Sequence, residues 1–147
     1  MRRKAAGKGR IVQFGHFDDE AREYVIETPA TPLPWINYLG NEDFFSLISN
    51  TGGGYSFYKD AKLRRITRYR YNGVPGGNGA RNYSLSLRSG SGEDATPVAT
   101  WSPTFLPVKT PLDSYECRHG IGYTTFHTDY QGIESTLTAF VPLHTAA

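Results

Sequence analysis

The sequence is poor in sulfur and has no long hydrophobic run. Cys117 is the only cysteine, so the chain cannot form an internal disulfide, and a lone thiol is typical of a reducing compartment. No apolar stretch approaches the roughly 20 residues that a membrane helix needs. The basic N-terminus is not followed by an apolar segment, so it does not resemble a secretory signal. These absences predict a cytoplasmic protein without a membrane partner.

Acidic residues are missing from the start of the chain. Residues 1–10 contain five basic side chains and no acid, whereas the remaining residues carry 11 basic and 14 acidic side chains. The net charge of +2 therefore belongs to a tail and not to a folded surface. A basic tail can bind nucleic acid or anionic lipid. A solvated, disordered tail is favoured over 1–10, and no nucleic-acid partner is expected.

Strand-forming residues and turn-forming residues dominate the rest of the chain. Aromatic residues make up 14% of the sequence, and 16 glycines and 9 prolines punctuate it. Period-two alternation is clear in Asn82–Arg88, and Asp129–Gly132 has the composition of a hairpin turn. About nine or ten short strands at this spacing favour an all-β, antiparallel β-sandwich over a parallel sheet. We expect one such domain over 11–147.

The densest acidic cluster is His16–Glu20. Two carboxylates can act as general acid and base or bind a divalent cation. Asp18 and Asp19 are adjacent, however, so in an extended chain their side chains point to opposite sides. The favoured interpretation is a turn between two strands, with carboxylates that are solvated or cap backbone N–H groups. No catalytic residue and no metal ligand is assigned.

Two short motifs each contain part of a known ligand site but lack the other residues that such a site needs. Cys117 and His119 share one face of a strand, but a zinc site needs four ligands and no further cysteine exists. Arg118 falls on the opposite face, and a core thiol beside a hydrogen-bonded histidine is favoured over a nucleophile pair. Gly52–Gly54 lacks the Lys-Ser/Thr ending of a phosphate loop, which favours a tight hairpin turn.

Arginine and tyrosine alternate in Arg64–Tyr71. Arg68, Arg70 and Tyr71 could bind a sugar, since rings stack on pyranose faces and guanidinium groups donate to hydroxyls. An interface strand is favoured, and single-stranded nucleic acid is the least favoured ligand. Trp35 and Trp101 each lie beside prolines and could be sugar platforms, although core positions are favoured for both. The candidate substrate-binding residues are Arg68, Arg70, Tyr71 and Trp35.

Several of these strings also occur together, in order, in one enzyme family. The chain resembles the N-terminal domain of the cellobiose phosphorylase group, family 94 of the glycoside hydrolases. The similarity extends from about Phe14 to Leu143. The strings that carry it are Phe14–Asp19, Arg22–Ile26, Pro34–Gly40, Phe44–Ser49, Gly53–Tyr58 with Asp60, Arg64–Asn72, Trp101–Pro103, Pro107–Val108, Tyr115–Glu116, Arg118–Gly120 and Phe140–Pro142.

The resemblance implies a large β-sandwich that precedes a helical barrel. It implies reversible phosphorolysis of a β-linked glucose disaccharide to glucose 1-phosphate, with inorganic phosphate in place of the water of an inverting glycosidase. It implies no metal or organic cofactor, and a homodimer in which the sandwich packs near the partner's active site. The general acid of the family belongs to the barrel and has no counterpart in this sequence.

The chain ends just after Leu143, before the family's sandwich is complete. We therefore expect a truncated, inactive scaffold and dimer-interface domain of a cellobiose phosphorylase-like enzyme. The alternative is a freestanding carbohydrate-binding β-sandwich that uses Trp35, Trp101, Tyr69 or Tyr71. The sequence does not distinguish cellobiose from cellobionic acid or another β-glucoside as the substrate.

Overall fold

The computed structural model describes residues 13–67 and 83–144, and in these ranges the chain is built almost entirely from antiparallel strands. The all-β prediction is confirmed. Ten strands and one 3-10 turn (Gly92–Asp94) lie in the described part of the chain. The strands are β1 (Gly15–Asp18), β2 (Glu23–Ile26), β3 (Ile36–Gly40), β4 (Phe44–Ser49), β5 (Gly54–Tyr58), β6 (Leu85–Ser89), β7 (Thr96–Trp101), β8 (Ser114–Gly120), β9 (Tyr123–Tyr130) and β10 (Ile133–Phe140).

The strands form three sheets. The largest has five strands in the order β1-β2-β8-β9-β10, the second has the order β3-β4-β5, and the third pairs β6 with β7. Most neighbouring strands are joined by hairpin turns. The exception is β2, which pairs with β8 from much later in the chain, and this pairing places Val25 opposite Arg118. This one long-range pairing brings the first hairpin of the chain against the last three strands.

Turn chemistry fixes the register of two hairpins. Gln131 and Gly132 both have positive φ (53° and 77°), as a two-residue type I′ turn requires, and they join β9 to β10. The predicted Asp129–Gly132 turn is thereby confirmed. The glycine triplet also forms a hairpin turn, in which the Ser49 amide donates to the Gly53 carbonyl at 2.7 Å. A side chain at Gly54 would overlap the Leu47 carbonyl, so this position needs glycine.

The core lies between the five-stranded and three-stranded sheets. Its fully buried members come from both layers: Ile26, Leu39, Ile48, Cys117 and Phe126. Side chains of successive strands alternate between this layer and the opposite face, as a sandwich requires. The sandwich prediction is confirmed.

Several predicted boundaries shift in the structure. The segment His16–Asp18 belongs to β1, so the predicted turn is shorter and follows Asp18. The segment predicted over Asn82–Arg88 is described from Tyr83 onward, forms a strand from Leu85 and is exposed throughout this described part. The predicted tail over 1–10 and the alternating Arg68–Tyr71 segment lie outside the described residues. No helix in the described ranges is long and apolar enough to cross a membrane.

Candidate functional site

Trp35 lies at the margin of the core, immediately before β3. Its ring meets those of Phe14 (6.1 Å between centroids) and Tyr24 (5.6 Å) edge to face, and it packs against the buried cluster. Its carbonyl accepts a hydrogen bond from the Asn50 amide at 2.7 Å. The structure therefore gives Trp35 a packing role, and its predicted sugar contact stays a prediction.

Trp101 is buried, with 3% of its surface exposed. Its ring stacks on Tyr130 with 4.9 Å between the centroids. No hydrogen-bond partner for its indole nitrogen is found among the described residues. The core position that the sequence favoured for this tryptophan is confirmed, and its ring is not available as a surface platform for sugar.

Arg118 is the centre of the strongest charged cluster. Its Nη1 donates to Glu23 Oε2 at 2.9 Å and to Asp18 Oδ2 at 3.2 Å, and its Nε donates to Glu116 Oε1 at 2.6 Å. The Tyr123 hydroxyl donates to the second oxygen of Glu23 at 2.5 Å. One guanidinium thus joins β1, β2 and β8, and the tyrosine adds β9.

The electrostatics of this cluster hold two of its carboxylates, those of Glu23 and Asp18, in the charged form. Burial raises the pKa of Glu23, but the hydrogen bonds from Tyr123 and Arg118 outweigh it, so that pKa lies below its ordinary value. The pKa of Asp18 is also lowered, first by the hydrogen bond from the Ala21 amide, and its carboxylate thereby caps the turn as the sequence predicted. Glutamate and aspartate held as anions by a guanidinium are poor general acids.

His119 and Asn37 connect the two sheets on the inner side. The Asn37 amide donates to the carbonyls of Gly120 and Tyr123, each at 2.9 Å. His119 Nε2 lies 3.3 Å from the Trp35 carbonyl, which can only accept, so this nitrogen carries the proton. Its Nδ1 lies 3.9 Å from the Cys117 sulfur. The predicted core thiol beside a hydrogen-bonded histidine is confirmed.

The thiol and the imidazole are both suited to packing and not to attack. Burial raises the pKa of the Cys117 thiol well above its ordinary value, so the nucleophilic thiolate is not populated at neutral pH. Burial also lowers the pKa of His119. Among the described residues, no group of three or more His, Cys, Asp and Glu side chains is placed to hold a metal ion.

The lowered pKa of His119 predicts a loss of stability in mild acid. The unfolded chain binds a proton near the ordinary pKa of about 6.5, whereas the folded chain resists it, so the free energy of unfolding decreases as the pH falls below that value. The slope approaches about 1.4 kcal/mol per pH unit for this one group. Urea titrations between pH 7.5 and 5 measure it.

The control for this prediction is His119→Gln, which keeps an amide donor for Trp35 and cannot titrate. In this variant the free energy of unfolding should depend much less on pH between pH 7 and 5. The variant His127→Gln, which changes an exposed histidine, should keep the pH dependence of the wild type. Equal slopes in the wild type and His119→Gln would contradict the prediction.

A surface groove of about 560 Å³ lies beside the Arg118 cluster. Three large hydrophobic side chains at its borders are strongly exposed: Phe17 (76%), Tyr38 (69%) and Ile121 (85%). Asp19 and Arg22 also line it, and neither has an ion pair or hydrogen bond of its side chain within the described ranges. Exposed rings beside free polar groups could bind a sugar ring or a protein surface.

The structure brings together residues that the sequence did not single out. Of the four candidate substrate-binding residues, Trp35 is half-buried, and Arg68, Arg70 and Tyr71 lie outside the described residues. Sequence reasoning missed the Arg118 cluster and the groove. Period-two alternation places Glu116 and Arg118 on one face, but only the pairing of β2 with β8 brings Glu23 to them.

Comparison with known proteins agrees with this architecture. Residues 22–147 match the family model of the glycosyl hydrolase 94 supersandwich domain. The N,N'-diacetylchitobiose phosphorylases of Vibrio furnissii and Vibrio proteolyticus are 43% and 41% identical over 133 and 136 residues, each covering 89% of this chain and 16% of the relative. The 3-O-beta-D-glucopyranosyl-beta-D-glucuronide phosphorylase of Paenibacillus borealis is 38% identical over 130 residues, covering 88% of this chain and 15% of the relative.

The match covers most of this chain and a small part of each relative. The chain spans about one sixth of the length of these curated phosphorylases. The fold agrees with the family model, because two antiparallel sheets enclose the core that a sandwich requires. The chain belongs to glycosyl hydrolase family 94, as a supersandwich domain of that family.

Proposed function

We propose that the chain is the N-terminal supersandwich portion of a disaccharide phosphorylase and serves it as a scaffold and dimer-interface domain. The parent enzyme would cleave a β-linked glucose disaccharide with inorganic phosphate and release glucose 1-phosphate in the cytoplasm. The observation that carries the proposal is the family match over 22–147, together with relatives that are phosphorylases.

The chemistry of the described residues supports a scaffold and not a catalytic domain. Carboxylates converge around Arg118, whose single guanidinium forms ion pairs with Asp18, Glu23 and Glu116. An inverting reaction on a glycoside needs a carboxylic acid that can protonate the leaving oxygen. The lowered pKa values of Asp18 and Glu23 are the opposite of what that role needs. We infer that the general acid belongs to a part of the parent enzyme that this chain does not contain.

The purified chain should therefore be inactive as a phosphorylase. We expect no sugar phosphate above a protein-free control when it is incubated with inorganic phosphate and either cellobiose or N,N'-diacetylchitobiose. The Vibrio furnissii enzyme serves as the positive control for the second sugar. Turnover by the 147-residue chain would refute the scaffold role. Genomic sequence beyond codon 147 that is unlike the rest of a phosphorylase would refute the proposed parent enzyme.

A second candidate function is sugar binding by the domain alone. The observation that favours it is the groove in which the exposed rings of Phe17 and Tyr38 lie beside Asp19 and Arg22, whose side chains have no partner within 13–67 and 83–144. If this function holds, calorimetric titration with cellobiose gives a millimolar or tighter dissociation constant that Tyr38→Ala weakens about tenfold. The control is Tyr83→Ala, which removes an exposed tyrosine that does not line this groove. If the wild type gives no heat of binding, sugar binding by the domain is refuted and the scaffold role is the one that remains.

A further inference from the structure

Trp101 lies where the pair of strands β6 and β7 meets the five-stranded sheet. Every residue of β6 is exposed, and Trp101 is the only buried residue of β7. Its ring stacks on that of Tyr130 at the end of β9. The chain continues from this tryptophan into a buried segment that includes Ser102 and Thr104. The indole is therefore the side chain through which the β6–β7 pair is held against the sandwich.

Two buried polar atoms near this junction have no hydrogen-bond partner among the described residues. They are the indole nitrogen of Trp101, a residue that is 3% exposed, and the hydroxyl oxygen of Thr128, a residue that is 4% exposed. An unpaired buried donor or acceptor has lost its hydration without compensation, so nearly all such atoms in folded proteins are paired with protein groups or with ordered water. Two of them close together indicate a shared partner.

The ring contact brings the indole to the face of β9 that carries this threonine. Thr128 and Tyr130 are two residues apart on the strand, so their side chains leave it on the same face. Trp101 covers the Tyr130 ring on that face. Successive side chains on one face of a strand lie roughly 7 Å apart, and a water molecule with hydrogen bonds of about 2.9 Å on two sides spans most of that distance.

A second contact approaches the same threonine from the neighbouring strand. Ser135 of β10 lies directly opposite Thr128. Ser135 lines a groove of about 550 Å³ together with Pro103 and Leu85. Leu85 is the residue opposite Trp101 in the β6–β7 pair, and Pro103 follows Trp101 by two positions. The segment around Trp101 thus approaches Thr128 both along β9 and from the side of β10, and the groove brings solvent to the border of this junction.

We propose that an ordered water molecule binds between Trp101 and Thr128 and links the β6–β7 pair to β9. The indole N–H can only donate, so it donates to the oxygen of the water. The water donates one proton to the Thr128 hydroxyl oxygen and the other to the hydroxyl of Ser135 beside it. Three polar partners are the number that a buried water typically has. The water site belongs to the fold and does not depend on the phosphorolysis proposed above.

The chemistry of the junction favours water over a charged or larger ligand. An indole and two hydroxyl groups are neutral, and among the described residues no charged side chain lines the adjoining groove. A metal ion or an anion would lose its hydration there without a compensating charge. The burial of Trp101 and Thr128 leaves no opening for a sugar ring. A water molecule is small and both donates and accepts, as the two unpaired atoms require.

Nuclear magnetic resonance of the indole proton tests the site directly. With nitrogen-15 in its tryptophans, the chain gives two indole signals, which Trp35→Phe assigns. We expect the Trp101 indole proton to show a rotating-frame cross peak to water with the sign of a dipolar contact, which is opposite to the sign produced by proton exchange. Absence of this cross peak from the wild type would overturn the water site.

Thr128→Val keeps the branched side chain and removes the hydroxyl. The water then loses a partner and the indole loses its link to β9, so the cross peak should disappear and the equilibrium constant for urea unfolding should increase about tenfold. A dry junction predicts the opposite sign, because the substitution would remove a buried hydroxyl that has no partner. An equilibrium constant that is unchanged or lower in Thr128→Val, or a cross peak that persists in it, would overturn the proposal.

Two further threonine variants are the controls. Thr128→Ser removes the methyl group and keeps the hydroxyl, so the cross peak should remain even where the variant is less stable. Thr96→Val makes the hydroxyl-to-methyl change at an exposed position of β7 and should alter the unfolding constant by less than about twofold. Loss of the cross peak in Thr128→Ser would overturn the hydroxyl as a ligand of the water. A tenfold increase in Thr96→Val would overturn the buried site as the cause of the effect.

Discussion

Replacing Phe126 with alanine is expected to lower the free energy of unfolding by about 3–5 kcal/mol. Phe126 is fully buried on the interior strand β9, between Cys117 on β8 and Leu137 on β10. Hydrogen bonding on both sides holds β9 in place, so the sheet cannot collapse into the cavity that the missing ring leaves. The loss is a large fraction of the roughly 5–15 kcal/mol that stabilises a typical domain.

Urea unfolding followed by tryptophan fluorescence measures this loss. The matched control is Phe140→Ala, which removes the same side chain from the neighbouring strand β10, where it is 63% exposed. We expect the control to change the free energy of unfolding by no more than about 0.5 kcal/mol, when it is measured at concentrations where the chain is monomeric. A similar loss in both variants would contradict the placement of the core between the two sheets.

Local features of the fold could be predicted from the sequence, because local chemistry determines them. Gln131 and Gly132 supply the positive φ values of a type I′ turn, and the glycine triplet supplies a second hairpin. Period-two alternation put Cys117 and His119 on one face and Arg118 on the other, as the structure has them. These relations span only a few residues, so propensity and alternation are sufficient to find them.

Long-range pairing could not be predicted in the same way. The alternation that separates Arg118 from Cys117 describes one strand only. It does not indicate which strand pairs with β8, so β2 was not favoured over any other strand. Glu23 therefore gave no signal as the partner of Arg118. The groove beside the Arg118 cluster could not be predicted for the same reason. Its exposed side chains Phe17, Tyr38 and Ile121 come from three separate segments that meet only after the sheets have packed. The predicted sugar contacts of Arg68, Arg70 and Tyr71 stay predictions.

Arg118→Ala is expected to lower the free energy of unfolding by about 2 kcal/mol at pH 7. Glu23 is 9% exposed, so its carboxylate would stay largely out of water without the cation that now faces it. Complete burial of a broken pair costs about 3–5 kcal/mol, and the lower value applies because the Arg118 side chain is 27% exposed. Urea unfolding at pH 7 measures the loss, and Arg118→Lys should restore only part of it, since an ammonium lacks the planar fork that reaches three carboxylates.

The pH dependence and a second substitution separate this electrostatic effect from lost packing. The pKa of Glu23 is lowered in the folded protein, so its stabilising contribution is present above the ordinary carboxyl pKa of about 4.5 and is lost as the pH falls through the lowered value. The difference between Arg118→Ala and the wild type should therefore shrink towards pH 3. Adding Glu23→Gln to Arg118→Ala should recover stability at pH 7, because a neutral amide is easier to bury than an unpaired carboxylate. A double variant that is less stable than Arg118→Ala would contradict this electrostatic role. Arg118 would then stabilise the fold mainly by packing over Val25, which lies opposite it on β2, and the charged cluster would contribute little.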